Sequence, residues 1–281
     1  MDNTIFGIKY KKPEVILLQE TGIGVAEVAA RTCYDSFSNS ENEAIQGIEK
    51  TLPNSMTCHE INEIDNSNLL DDLAWTYFHH SILEHANLSY LVRGTSRGVL
   101  QEHARHRIQA ISVRSTRYTM SSIINAYVAA QFAKSDAKEF FIEKILSYDM
   151  FVIDDMLYNR LEASGMYDKL FYQASQLEDF YTIAVAKSSM EFLELYKDDA
   201  QELYVALEAG RKKRNVGDAF KHIITDNVKV DMVVTFNLRS LKNYLTLRDS
   251  GAAYFQIRWL AQEMTRVTPK KYLDLIVKNK G

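Results

Sequence analysis

Helix breakers are scarce in this chain, with 3 prolines and 11 glycines among 281 residues. A glycine inside a helix costs about 1 kcal/mol relative to alanine and a proline about 3, so long stretches without either let helical spacing persist. Between about residues 135 and 210, Phe141, Ile145, Tyr148, Val152 and Met156 recur at helical intervals until Gly165. Tyr172 to about Tyr196 repeats the pattern before a shorter run closing at Gly210. The basic run Arg211 to Arg214 then reads as a solvated helix end. Val25 to Tyr34 and Leu69 to Phe78 also carry helical spacing, as do roughly Ser240 to Leu247 and Ala252 to Val267, the last stopping before Pro269.

Period-two stretches interrupt the helices. Pro13 to Glu20 predicts a short buried strand, and the alternation of Ala86, Leu88, Tyr90 and Val92 predicts a half-buried one that Gly94 and Thr95 break. Ser96 is placed to cap a helix running to about His106, Ile108 to Tyr118 reads as extended or irregular, and Val233 to Leu238 as a strand. Polar stretches at Ser36 to Asn42 and Pro53 to Asn68 read as loops flanking short helices. With 46 % hydrophobic and 25 % charged residues and no linker or internal repeat, the expectation is one helix-rich α+β domain over 1–281.

The formal charge of −4 conceals a segregation. From Ala86 to Ser135, six arginines (Arg93, Arg97, Arg105, Arg107, Arg114, Arg117) and Lys134 face one acid, Glu102, a local +6 that leaves −10 elsewhere. Arginine carries five fixed donors and a permanent charge, so such a cluster suits phosphate or an electron-rich heterocycle; nearby acids to pair with are missing. Two cysteines, Cys33 and Cys58, form neither a disulfide framework nor a CxxC zinc pair. The N-terminus lacks a signal-peptide core and no apolar run approaches the roughly 20 residues of a membrane helix. A cytoplasmic protein is expected.

Three segments carry chemistry. RHRIQAISVRSTRY, from Arg105 to Tyr118, is the arginine-dense one. HHSILEH brings His79, His80 and His85 around Glu84, but the spacing of zinc hydrolases is absent, so packed or hydrogen-bonded histidines are expected and no metal. NLRSLKNYLTLR, Asn237 to Arg248, leaves a strand and enters a helix whose N-terminus can present backbone donors to an anion, with Leu241, Tyr244 and Leu245 on its core side.

Together these segments resemble the flavin-dependent thymidylate synthases. Arg105-His106-Arg107, seven residues and then Ser115 match that family's RHR-x7-S signature, extended by Arg117 and Tyr118. HHSILEH resembles its H-x-S-x-x-E-H segment, TSRGVLQEHARHR its approach to the signature, and Asn237 to Arg248 its N-A-R-S-L…N-F-L-x-L-R segment. The resemblance spans roughly His79 to Ala261 and implies a helix-rich domain around a small, mostly antiparallel sheet. It implies that dUMP and methylenetetrahydrofolate give dTMP, with NADPH reducing a bound FAD that supplies the hydride, and no metal. A homotetramer with sites at subunit interfaces is also implied.

Carried over by position, His79, Ser81, Arg105, His106, Arg107, Asn237, Arg239 and Asn243 would hold FAD, with Leu238 touching it through backbone. Glu102, Arg105, Arg114, Ser115, Thr116, Arg117, Lys221 and Arg248 would line the nucleotide site. Arg248 and Ser115 match the family's catalytic positions: Arg248 would stabilise the uracil ring as its imide nitrogen loses a proton, and Ser115 would touch phosphate. The chain departs from the usual pattern at Glu102 (glutamine), Val113 (glutamate), Lys221 (arginine) and Leu238 (alanine). Lysine neutralises phosphate as a point charge without arginine's bidentate fork; Val113 makes no polar contact, and Glu102 is a candidate for the displaced carboxylate.

Three rivals remain at this level. One is a nucleic-acid-interaction module using the arginine segment 93–117 against phosphates, with Tyr90 and Tyr118 for stacking; the −10 elsewhere would repel a long polyanion. The second is a different flavin or nucleotide enzyme on the same scaffold, and the third is thiol-based methylation through Cys33 or Cys58. Ser115 has no base evidently placed to activate it. Ser115→Ala is therefore expected to keep measurable thymidylate formation, and complete loss with FAD and nucleotide binding intact would make Ser115 a nucleophile.

Overall fold

The computed structural model describes residues 4–5, 8–10, 12–50, 55–117, 148–151, 226 and 228–277. The chain divides into two compact units interleaved in sequence, one of Met1–Lys12, Gly94–Leu100 and Val113–Val230, the other of Pro13–Arg93, Gln101–Ser112 and Asp231–Gly281. The fold is α+β, as the periodicities imply.

In the first unit, β1 (Thr4–Ile5), β2 (Ile8–Tyr10) and β6 (Tyr148–Phe151) form an antiparallel sheet in that order. The strand at Tyr148 corrects the helical reading of that residue. Its backbone groups pair with β2, Tyr10 opposite Tyr148 and Ile8 opposite Phe151, and such a ladder overrides a helical period over only four residues. The rest of the expected helical stretch, with Arg211 to Arg214, lies outside the described residues. Ser96 caps α5 (Arg97–His103) as expected, its Oγ accepting the Val99 amide at 3.2 Å.

The second unit is built on the sheet β3-β4-β7-β5, with β3 (Glu14–Glu20) antiparallel to β4 (Asn87–Ser96), and β5 (Ala110–Val113) beside β7 (Lys229–Asn237). The expected break at Gly94 does not occur: β4 continues to Ser96, because Gly94 takes φ +73, a conformation that costs glycine little. Leu88, Tyr90 and Val92 of β4 and Met232, Val234 and Phe236 of β7 are buried, as are Leu241, Leu245, Ile257, Leu260 and Met264 of the helices α6 (Leu238–Arg248) and α7 (Phe255–Val267). Each such side chain contributes on the order of 1.5–3 kcal/mol on leaving water. The Tyr90 hydroxyl is satisfied inside this core by Thr268 Oγ1 at 2.7 Å.

α1 (Gly24–Cys33) and α4 (Asn68–Trp75) sit near their expected bounds, with the short α2 (Glu43–Gln46) between them in sequence. The polar stretch from Pro53 is not all loop: Ser55–Glu63 forms a helix, α3, and Ile61 and Ile64 pack with Ile45. Two buried apolar residues at i and i+3 suffice there, too weak a period to stand out in sequence. Beyond Pro269 the chain resumes helix as α8 (Lys270–Ile276), burying Tyr272, Leu275 and Ile276. Among the described residues no helix is long and apolar enough to cross a membrane.

Close approach constrains α1. A Cβ on Gly24 would lie 2.2 Å from the Ile61 carbonyl oxygen, whereas one on Gly47, a residue of right-handed helical geometry, would meet nothing within 4 Å. Gly24→Ala is expected to destabilise by roughly 2 kcal/mol or more, and Gly47→Ala to stabilise by up to about 1 kcal/mol. Urea-unfolding midpoints check both.

Candidate functional site

The centre of the second unit's site is the junction of β7 and α6. Asn237 ends the strand and its Oδ1 accepts the Ser240 amide at 2.8 Å, starting the helix two residues earlier than the spacing suggested. Leu238 turns into the core, fully buried, and its amide donates to the Ala86 carbonyl at 2.9 Å. With Leu241, Tyr244 and Leu245 also buried, the opposite face presents Arg239, Lys242, Asn243 and Thr246.

That face lines a cavity of about 960 Å³ together with His80 and Glu84 from a short helical turn (His80–Glu84), Glu102 in the last turn of α5, and Arg105, His106 and Arg107 just beyond it. Five cationic side chains, Arg105, Arg107, Arg239, Lys242 and Arg248, face two carboxylates. A smaller cavity of about 370 Å³ is lined by residues including Arg31, Cys33, Phe78, His79, Ser81 and Arg239. Phe78 stands at φ +56, an uncommon conformation for a bulky side chain, where the chain leaves α4 and enters the histidine segment.

The two carboxylates at this cavity, Glu84 and Glu102, pair with arginines distant in sequence. Glu84 pairs with Arg239, 155 residues away, so this carboxylate of the histidine cluster is engaged by a cation. Glu102 accepts from Arg248 Nη1 through Oε2 at 3.0 Å and from Nη2 through its main-chain oxygen at 3.1 Å; its Oε1 lies 3.9 Å from Arg105 Nη1. Arg248 Nε donates to His106 Nε2 at 2.8 Å, which assigns the proton of the neutral imidazole to Nδ1. Burial first, then the Arg248 charge, lowers the His106 pKa, against a smaller opposing effect of Glu102.

Behind this layer His103 is fully buried, its Nδ1 3.1 Å from the Tyr244 hydroxyl and its ring edge-on to Tyr244 and Phe236. Burial pulls its pKa down to about 4, with Gln109 opposing and His106 and Arg248 adding to the fall. The His106 ring stands edge-on to Tyr244 with centroids 4.7 Å apart. On the other flank Lys242 lies 3.7 Å over the Trp75 ring, 3.2 Å from His80 Nε2 and 3.4 Å from the Ala74 carbonyl oxygen, and burial lowers its pKa.

The structure thus gathers Glu102, Arg105, His106, Arg107, Asn237, Arg239, Asn243 and Arg248 around one cavity, and His79 and Ser81 around the smaller one. Leu238 is a core residue. Arg114, Ser115, Thr116 and Arg117 belong to the first unit, where the buried Thr116 Oγ1 lies 3.5 Å from Arg97 Nη1. Lys221 lies outside the described residues. Lys242 and Thr246 join the expected residues at the larger cavity, and their spacing from Arg239 and Asn243 marks a polar helix face. Arg31, held at 3.3 Å by the buried Glu27, joins the smaller one, where nothing short of the fold brings it to His79.

The family model for the thymidylate synthase complementing protein matches residues 16–272. The chain belongs to that family. It is 28 % identical over 265 residues to the flavin-dependent thymidylate synthase of Wolinella succinogenes, covering 94 % of this chain and 98 % of that one. It is 26 % identical over 259 residues to that of Campylobacter jejuni, covering 92 % and 93 %. Among solved structures it is similar to thymidylate synthase X from Helicobacter pylori, crystallised with FAD and dUMP, with a TM-score of 0.59 and 25 % identity over 94 % of this chain and 97 % of that one. The family and the enzyme class that the motifs resemble are both met.

His103 makes stability depend on pH. Its folded pKa, about 4, lies below the ordinary 6.5, so between these values the unfolded chain binds the extra proton and stability falls as pH falls. The difference corresponds to about 3 kcal/mol. Unfolding free energies from urea titration are expected to fall across this window, and the wild-type curve to be steeper than that of His103→Gln.

Proposed function

We propose that this chain makes dTMP from dUMP, taking the one-carbon unit from methylenetetrahydrofolate and using FAD reduced by NADPH. The observation that carries this reading is Arg248, 17 % exposed and hydrogen-bonded to Glu102 and His106 at the wall of a cavity lined by four further cations.

The donor set suits FAD. A pyrophosphate needs several fixed cations, and Arg105, Arg107 and Arg239 stand on one cavity beside the capped N-terminus of α6. Asn237 and Asn243 add amide donors, while His79 and Ser81 would act from the smaller cavity. When bound, FAD supplies the hydride chemistry that no side chain can perform. The protein's part is to bind and orient. Arg248 would place its donors against the uracil edge and stabilise the charge that develops on the ring. His106, kept neutral beside Arg248, would hold that guanidinium without adding a competing positive charge.

Arg114, Ser115, Thr116, Arg117 and Lys221 would complete the nucleotide's phosphate site. A homotetramer whose sites lie at subunit interfaces, in the cytoplasm, is part of the same reading.

Purified protein is expected to be yellow, to take up added FAD, and to form dTMP only when dUMP, methylenetetrahydrofolate and NADPH are all present. Arg248→Lys removes the planar fork and should lower kcat/KM for dUMP by about tenfold or more. A colourless protein that binds no FAD but binds DNA with a steep salt dependence would support the nucleic-acid module instead.

A further inference from the structure

A guanidinium carries five N–H donors, and three of Arg248's are engaged within the second unit: Nε by His106 Nε2, Nη1 by Glu102 Oε2 and Nη2 by the Glu102 main-chain oxygen. Two of these three acceptors come from a single residue. The Glu102 carbonyl lies in the last turn of α5, where such oxygens lack intrahelical partners and a cation is favoured. One side chain and one helix end therefore fix both terminal nitrogens of Arg248, and among the described residues two N–H groups are left over, one on each.

We propose that Glu102 is a positioning residue for Arg248, orienting its guanidinium so that these two remaining donors meet the edge of the nucleotide base. The inference rests on the function proposed above and assigns Glu102 an action through Arg248 in place of direct contact with the nucleotide. A bare carboxylate would repel a phosphorylated ligand. Here its charge is countered by Arg248 at 3.0 Å and more loosely by Arg105 at 3.9 Å. An arginine left free would lose side-chain freedom each time a ligand bound; one already held by three acceptors has lost it on folding.

The two roles differ in a double-mutant cycle read by calorimetric titration of dUMP into the FAD-loaded, full-length protein. Glu102→Ala is expected to weaken dUMP binding by about tenfold or more, the scale of a charge-assisted hydrogen bond. Glu102→Gln, which keeps an acceptor oxygen at the same reach, should recover most of that loss. In an Arg248→Gln background, Glu102→Ala should weaken binding by less than about twofold further, because the group it acts through is gone. Losses that multiply in the double variant would overturn the positioning role and leave the proposed function standing. If Glu102→Ala does not load FAD, Glu102→Met, of similar length without an acceptor, takes its place in the cycle. A wild-type protein that loads FAD yet binds no dUMP would overturn the proposed function itself, and this inference with it.

Discussion

The second unit's site depends on how α6 is held at both ends. Asn237 caps its first turn and Leu238 anchors it to the core, while Arg248 in its last turn reaches Glu102 and His106, more than 140 residues away in sequence. Helix hydrogen bonds are local and indifferent to what the outer face meets. Burial of Leu241, Tyr244 and Leu245 together with the long-range contacts at the two ends fixes which way Arg239, Lys242 and Asn243 face.

Placing cations beside a cavity carries a cost, since like charges repel and burial disfavours each of them. The structure answers with local compensation. Arg239 meets Glu84, Arg248 meets Glu102, and Lys242 stacks on Trp75 with a carbonyl oxygen nearby. His103 and His106 add no charge at neutral pH, because burial lowers the pKa of both. The result is a cavity with an excess of positive charge in which several of the cations already have a fixed direction.

Much of this was legible in the amino-acid order. The strands from Glu14 and from Asn87, the Ser96 cap and the helices α1, α4, α6 and α7 follow from period and capping chemistry, but the length of the second strand past Gly94 does not, nor does the exposure of the first, where Val15 is buried and Ile16 and Leu18 face solvent. The short helix α3 and the helix after Pro269 were not, because few apolar positions at helical spacing are shared with loops. Tyr148 misled: its neighbours repeat at helical spacing, yet its backbone pairs with a strand near the N-terminus. Pairing partners so far apart in sequence leave no mark on local pattern.

For the site, sequence alone determined the inventory: an arginine-dense segment, a histidine cluster and a strand-to-helix junction, in the order that marks the family. It could not determine which acid answers which arginine. Glu84 and Glu102 pair with Arg239 and Arg248, each more than 140 residues away along the chain, and nothing in the local composition announces either pair. Residue identity sets what charge and donors a side chain carries, and motif spacing sets the face of the helix that bears it. Only the tertiary structure decides which of those donors are taken up by the protein and which are left for a ligand, because hydrogen bonding depends on distances of about 3 Å that neighbours in space, not in sequence, provide.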